Sequence, residues 1–251
     1  MKTKLIFLPI FLTALLAISC QGISLVDLNK DAIRPSNVII TEQRDLSGYT
    51  GIDMRTFGKM VLSQGDRESV TISGSDNIVA VIQTSVRDGI LVIENDQNIN
   101  VTGVNEKNVL TFTIVVKDLT SLTISGAADS QMDSLTTSSL DVNMSGAGQF
   151  VLDQLTADSL NIVLSGLGNV EVSGEVTNAR IDIPGAGSIN AGDLKAQTVN
   201  ATISGVGSAT IWVSDQLTGN ISGAGNVSYY GNPQTDVETS GIGQFKSLGS
   251  K

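Results

Sequence analysis

Histidine is absent from the 251 residues, and cysteine occurs once, at Cys20. The first absence removes histidine general bases and histidine-ligated metals; the second removes internal disulfides and cysteine zinc sites. Serine triads, zinc hydrolases and small disulfide scaffolds are thereby excluded. Positive charge is scarce as well. With 15 basic against 25 acidic side chains the formal charge is −10, which offers no electrostatic footprint to phosphate backbones and makes nucleic acid a poor partner. What remains is an acidic chain with 4% aromatics and 26 glycines, long enough for one large or two small domains.

The first segment reads as an address rather than as part of the fold. Lys2 and Lys4 precede an apolar run from Leu5 to Ile18, and Leu16-Ala17-Ile18-Ser19 leads into Cys20. The apolar run is too short for an ordinary membrane span. The layout resembles a bacterial lipoprotein signal, although Ala17 stands where the lipobox more often has leucine. The resemblance implies cleavage before Cys20 and lipid on its thiol, so that the N-terminal lipid holds the protein at a membrane, with the outer membrane as the expected site. A lone thiol in an exported protein is a liability unless it is modified, which favours this reading over an ordinary signal with an incidental cysteine. Loss of residues 1–19 removes Lys2 and Lys4 and no acid, moving the formal charge from −10 to −12. Residues 20–36 are then a tether.

Internal repetition organises the rest. Ser125-Gly126-Ala127-Ala128, Ser145-Gly146-Ala147-Gly148, Ser165-Gly166-Leu167-Gly168, Pro184-Gly185-Ala186-Gly187, Ser204-Gly205-Val206-Gly207, Ser222-Gly223-Ala224-Gly225 and Ser240-Gly241-Ile242-Gly243 recur with first glycines 20, 20, 19, 20, 18 and 18 residues apart. Two, four and six residues before these glycines stand Met144, Val142, Leu140, then Leu164, Ile162, Leu160, Ile183, Ile181, Ala179, Ile203, Ala201 and Val199. Four and six after stand Phe150 and Leu152, Val170 and Val172, Ile189 and Ala191, Ala209 and Ile211. The intervening positions are mostly polar. Period two with one apolar face means half-buried strands, two per repeat.

Each repeat therefore reads as strand, glycine corner, strand and loop. A unit of this length cannot bury its apolar face alone, so the units must stack in register as a parallel β-solenoid. Six intervals of about 4.8 Å make a rod about 29 Å long. Glycine suits the corner because the chain there needs a positive φ or a close backbone approach. Serine before each corner is expected to bond a backbone amide. Gln149, Asn169, Ser188, Ser208, Asn226 and Gln244 are expected to form a polar ladder along one edge. Phosphate-loop and dinucleotide readings fail because no lysine-serine pair follows the glycines and no helix pattern begins after them. A calcium-binding glycine nonapeptide fails on its period. No cofactor is expected.

Residues 37–117 form a different, β-rich half, with a soft boundary near Lys117 before the solenoid at 118–251. Strands are expected over Val38–Thr41, Gly51–Leu62, Ser69–Ser73, Ile78–Gln83, Ile90–Glu94 and Val109–Val116, with Ser73-Gly74 as an early corner. Tyr49-Thr50-Gly51-Ile52-Asp53, Val61-Leu62-Ser63-Gln64-Gly65-Asp66, Ser73-Gly74-Ser75-Asp76-Asn77 and Val86-Arg87-Asp88-Gly89-Ile90-Leu91-Val92-Ile93, followed by the Ser-Gly-x-Gly repeats, resemble the head GIN domain family of putative autotransporter adhesins. The match runs over residues 38–248. Gly-Ile-Asp in place of Gly-Ile-Asn is a small departure. The resemblance implies a right-handed β-helix-like fold and a role in cell adhesion, and it brings no catalytic residues.

Two outward pairs are candidate sites. Asp133 and Asp153, each seven after its first glycine, fall on adjacent turns and form a candidate cation pair, or a solvated acidic rim. No basic residue joins them at equivalent positions. Arg180 sits five before its glycine, with Asn161 and Asn200 beside it, so enzymatic carbohydrate chemistry is not the expectation. Trp212 and Tyr230, also seven after their glycines, form a candidate platform for a sugar ring or for a protein partner's apolar anchor; alternatively they pack under the following loops. The last repeat is weak. Thr235, Val237, Thr239, Phe245 and Ser247 fill its inward places, and Lys246 and Lys251 lie close by. A solenoid end must be polar or covered, or it recruits another chain. The expected function is non-enzymatic binding at the cell envelope, to a surface glycan or protein. An envelope scaffold facing the periplasm, or a carbohydrate-active enzyme, is the alternative.

Overall fold

The computed structural model describes residues 32–96, 100–105 and 108–251. The expected signal segment 1–19, Cys20 and the tether as far as residue 31 lie outside the described residues. Nearly all of the described chain is strand, as period-two alternation requires. The elements before the repeats are β1 (Ala32–Ile33), β2 (Ile39–Arg44), β3 (Gly51–Met54), β4 (Phe57–Gln64), β5 (Ser69–Ser75), α1 (Asp76–Val79), β6 (Ile82–Arg87), β7 (Ile90–Asn95), β8 (Asn100–Val101) and β9 (Thr111–Val116). The repeats supply β10 (Ser121–Ile124), β11 (Ala127–Thr136), β12 (Ser139–Met144), β13 (Ala147–Leu164), β14 (Leu167–Ile183), β15 (Ala186–Ile203), β16 (Val206–Ile221), β17 (Ala224–Tyr230), β18 (Gln234–Thr239) and β19 (Ile242–Gly249).

The repeats stack as a parallel β-solenoid. Leu140 lies on Leu160, Leu160 on Ala179 and Ala179 on Val199, while Phe150 lies on Val170 and Val170 on Ile189. The inward residues read from the alternation are buried, from Leu140, Val142 and Met144 through to Ile203, Ala209 and Ile211. Stacking like on like builds one continuous aliphatic core, and burial of a Leu, Ile or Val side chain contributes roughly 1.5–3 kcal/mol.

The segments expected as loops between repeats are largely drawn into the sheet. β13, β14 and β15 each run from one glycine corner to the next, bending where the register shifts between Leu152 and Leu155 and between Glu171 and Gly174. Leu155, Val176, Leu194, Ala196 and Val213 are buried along this return path, so a third face closes the core. Parallel stacking makes this favourable, because the stretches on either side of each bend pair with the matching stretches of the next layer.

The corner glycines work by close approach. A Cβ on Gly146 would lie 1.9 Å from the carbonyl oxygen of Gly126, and one on Gly166 would lie 2.0 Å from that of Gly146. Backbone bonds hold the corners: Gly146 N–H donates to Ile124 O at 3.0 Å and Leu167 N–H to Gly146 O at 2.9 Å. The corner serines are exposed and cap no amide; among the described residues Ser165 alone makes a side-chain bond, donating at 3.5 Å to the Met144 carbonyl. Once the backbone of the adjacent layer satisfies the corner amides, the hydroxyl has nothing left to cap.

Below the repeats the stacking continues. β3 pairs in parallel with β10 and β4 with β11, so Ile52 lies under Leu122 and Met60 under Ser130. β7 and β9 form a further layer beneath β3 and β4. Parallel pairing thus passes through the position of Lys117, and the described residues form one compact unit. Gly51–Leu62, read as one strand, breaks at Arg55-Thr56, which is the corner of this layer. Thr56 stands, buried, at this corner where the layers above carry glycine.

The expectation of a corner at Ser73-Gly74 does not hold. Gly74 sits inside β5, and Ile78, read as strand, lies in α1 with Val79, both buried. A Cβ on Gly74 would meet the Leu110 side chain at 2.7 Å, so this glycine serves packing rather than a turn. β5 instead runs antiparallel between β2 and β9, and β6 runs antiparallel to β7, so these strands cover the lower end of the solenoid. β1 and β8 form a separate parallel pair. No helix among the described residues is long and apolar enough to cross a membrane.

Candidate functional site

The principal concavity lies on the outer face of the arm that precedes each corner. In a strand, residues i and i+2 stand up on either side of residue i+1 when the latter points inward. Leu140, Leu160, Ala179 and Val199 point into the core, so their backbone floors a groove of about 400 Å³ whose rims are the flanking outward residues. One rim is Ser139, Ser159, Asn178, Thr198 and Gln216, and the other is Asp141, Asn161, Arg180, Asn200 and Thr218. Five layers contribute, so the groove extends for about 19 Å along the solenoid.

The rims are ladders of amides and hydroxyls. Asn161 Nδ2 donates to Asp141 Oδ1 at 3.0 Å, Thr198 Oγ1 to Asn178 Oδ1 at 2.7 Å, and Asn200 Nδ2 to Thr218 Oγ1 at 2.9 Å. These bonds fix the side chains without exhausting their valences. The Asn161 Oδ1 atom is buried and accepts no hydrogen bond within the described structure, so it is closed to a ligand, whereas Asn178, Arg180 and Asn200 are exposed on the rims. Arg180 rises from the centre of the same rim, 62% exposed, with one loose ion pair to Asp182 at 3.9 Å. Asp141 and Arg180 are the two charged residues of the lining, and their charges cancel.

The sequence-predicted residues fall elsewhere. Asp133 and Asp153 are exposed and occupy equivalent places on adjacent layers, between the aligned pairs Met132 with Leu152 and Ser134 with Gln154. Among the described residues no cluster of three or more carboxylates, histidines or cysteines could hold a metal ion. Trp212 and Tyr230 are aligned on consecutive layers and half-buried. Their shared outer face is occupied by Lys251, whose Nζ stands 5.4 Å from the Trp212 ring centroid and 5.1 Å from that of Tyr230. The same ammonium donates to the Gly192 carbonyl at 2.5 Å and to the Asp193 carboxylate. The edge ladder expected after the second glycines is present as a row, with one link, Ser188 Oγ to Asn169 Oδ1 at 2.7 Å.

The groove itself went unrecognised in the sequence, although its signal was available. The places five before the first glycine read Asp141, Asn161, Arg180, Asn200 and Thr218, an unbroken column of hydrogen-bonding side chains.

Comparison with known proteins accords with this architecture. The family model described as "Putative auto-transporter adhesin, head GIN domain" matches residues 48–233. The chain belongs to this family. Among solved structures, this head GIN protein is similar to a putative adhesin from Bacteroides fragilis NCTC 9343, at 30% identity and a TM-score of 0.82, covering 86% of this chain and 100% of that one. It shares its fold with a putative lipid binding protein from Parabacteroides distasonis ATCC 8503, at 20% identity, a TM-score of 0.73, and 87% and 100% coverage. A putative adhesin from Parabacteroides merdae ATCC 43184 has the same fold at 18% identity, a TM-score of 0.66, and 87% and 99% coverage. No curated protein matches the head GIN chain.

Proposed function

We propose that this head GIN protein is a non-enzymatic adhesion module of the cell envelope, held by lipid on Cys20 at the outer membrane, and that its ligand is a glycan chain lying in the groove. The observation that carries the reading is the pair of amide and hydroxyl rims, with exposed Asn178 and Asn200 facing across the groove and exposed Arg180 on one rim. Sugar hydroxyls both donate and accept, so they match side chains that do the same. A protein ligand would want a central apolar or aromatic anchor pocket, and no aromatic residue lines this groove. Hydrolysis or elimination would want two opposed carboxylates, whereas the lining holds Asp141 alone. Because the Trp212–Tyr230 face is taken by Lys251, the groove, not the aromatic pair, is the proposed contact surface.

Glycan-array screening followed by titration calorimetry of the best hit tests this. Arg180→Ala and Asn200→Ala are expected to weaken binding by roughly tenfold each, the loss of one or two hydrogen bonds to a bound ligand. Binding that survives both substitutions but disappears with Trp212→Ala would move the site to the aromatic pair. Protease shaving of intact cells separates adhesion from the alternative of a periplasmic scaffold, since only a surface-facing protein is cleaved.

A further inference from the structure

The two ends of the solenoid differ. At the lower end the layer of β7 and β9 is covered by antiparallel strands, one on each arm: β6 on β7, with Val86 opposite Leu91, and β5 on β9, with Ile72 opposite Phe112 and Val70 opposite Ile114. Inward residues meet inward residues, so the core continues through the change of strand direction and closes. At the upper end β18 and β19 carry no such cover among the described residues. Every residue of β18 is exposed, including Val237, which occupies an inward place and is 36% exposed, and Phe245 of β19 is only half-buried. A bare parallel edge of this kind presents two rows of unpaired backbone groups.

We propose that this end pairs with the same end of a second copy, β18 of one lying antiparallel along β19 of the other about a two-fold axis through the Ser240-Gly241 corner. The geometry follows from the corner. A two-fold axis along its bisector exchanges the two arms and reverses their direction, setting the residue a given number of places before Gly241 opposite the residue the same number after it. Inward places then coincide: Val237 meets Phe245 of the second copy, and Thr235 meets Ser247. Outward places coincide as well, and their charges match: Asp236 faces Lys246, and Glu238 faces Gln244. Within one copy Asp236, Glu238 and Lys246 join none of the ion pairs among the described residues. Ile242, 82% exposed, lies beside the axis. Each copy therefore supplies for the other the antiparallel cover that β5 and β6 supply at the lower end. An isologous contact of this form closes at two copies and cannot grow into a fibre. It is independent of the glycan groove, whose lining does not include β18 or β19.

The test is sedimentation equilibrium of the purified full chain and of Asp236→Lys and Lys246→Glu, with circular dichroism as the control for folding. The native chain is expected to dimerise reversibly. Each substitution turns both symmetry-related ion pairs into like-charge pairs and is expected to weaken the dimer roughly tenfold. Mixing the two variants recreates opposite charges at both contacts, so the mixture is expected to recover the native dimer constant as heterodimers. A native chain that stays monomeric at millimolar concentration overturns the proposal, as does a mixture that dimerises no better than the separate variants.

Discussion

Gly166→Ala isolates what the corner glycines contribute. Gly166 sits in the third glycine corner with layers on both sides, and an added Cβ would lie 2.0 Å from Gly146 O and 2.5 Å from Ser145 O. Both obstacles are backbone, so relief requires the two layers to part by about 1 Å at the corner, well beyond ordinary side-chain adjustment. Parting stretches the bonds that close the corner, Leu167 N–H to Gly146 O at 2.9 Å, Gly166 N–H to Met144 O at 3.0 Å and Ser165 N–H to Met144 O at 2.9 Å. Weakening two or three such bonds costs about 2–3 kcal/mol, and overpacking adds about 1–3. The lower entropy of alanine in the unfolded chain returns about 0.4–1 kcal/mol. The net expectation is a loss of about 2–5 kcal/mol. Gly192→Ala is the comparison, because its nearest obstacle is the Thr210 Cγ2 methyl at 3.1 Å, which can give way; the expected change is under about 1 kcal/mol. Urea unfolding followed by Trp212 fluorescence and by far-ultraviolet circular dichroism measures both. If Gly166→Ala lies within about 0.5 kcal/mol of the native protein, or if the two variants cost the same, close approach is not the reason for the corner glycines.

Two further outcomes follow from single side chains. Tyr49 is buried, its hydroxyl donating within reach of the carbonyls of Ser69 at 3.3 Å and Val115 at 3.0 Å, and its pKa is pushed up to about 12, chiefly by burial and secondarily by the Glu68 carboxylate. The folded protein holds this proton more tightly than the unfolded chain, so the contribution is complete below pH 10 and is lost as pH rises towards 12, by up to about 2.7 kcal/mol. Urea midpoints from pH 8 to 12 for the native protein and Tyr49→Phe are expected to converge over that window; parallel curves would refute the reasoning. Lys251→Ala removes the ammonium from the Trp212 and Tyr230 rings, and stability is expected to change by less than about 1 kcal/mol. Trp212 is the sole tryptophan, so acrylamide quenching should rise in this variant; unchanged quenching would mean that Lys251 does not cover the ring in solution.

The solenoid was legible because two periodicities agree. Alternation marks Leu140, Val142 and Met144 as one inward face, and the glycine spacing brings Leu160, Ile162 and Leu164 onto them in register. What escaped was whatever stacking decides without a repeat. Arg55-Thr56 is a corner with no glycine, so it lacks the repeat's signature. Ser73-Gly74 has the corner signature, yet its glycine makes room for Leu110 within an antiparallel strand. The order of layers is also hidden: β7 and β9 follow β3 and β4 in the chain but lie beneath them. For the groove, the column Asp141, Asn161, Arg180, Asn200 and Thr218 was visible, while the second rim, Ser139, Ser159, Asn178, Thr198 and Gln216, falls in the stretch read as loop between repeats, so the pairing of the two rims was not. Lys251 over the aromatic pair is a contact across 59 residues to Gly192, beyond the reach of any local signal.

The fold separates the residues that must be conserved in kind from those free to carry recognition. An inward Leu or Ile touches the layers above and below, and a corner glycine is pressed against a carbonyl oxygen, so a change at either place disturbs three layers at once. An outward residue in the column five before each glycine faces its ladder neighbours, the outward residues beside it on its own strand and solvent, so its side chain varies here from aspartate to arginine without touching the core. Recognition placed there can change layer by layer, each substitution altering about 4.8 Å of the groove. A scaffold of this design distributes a ligand contact over several layers, which suits a chain-like ligand better than a compact one.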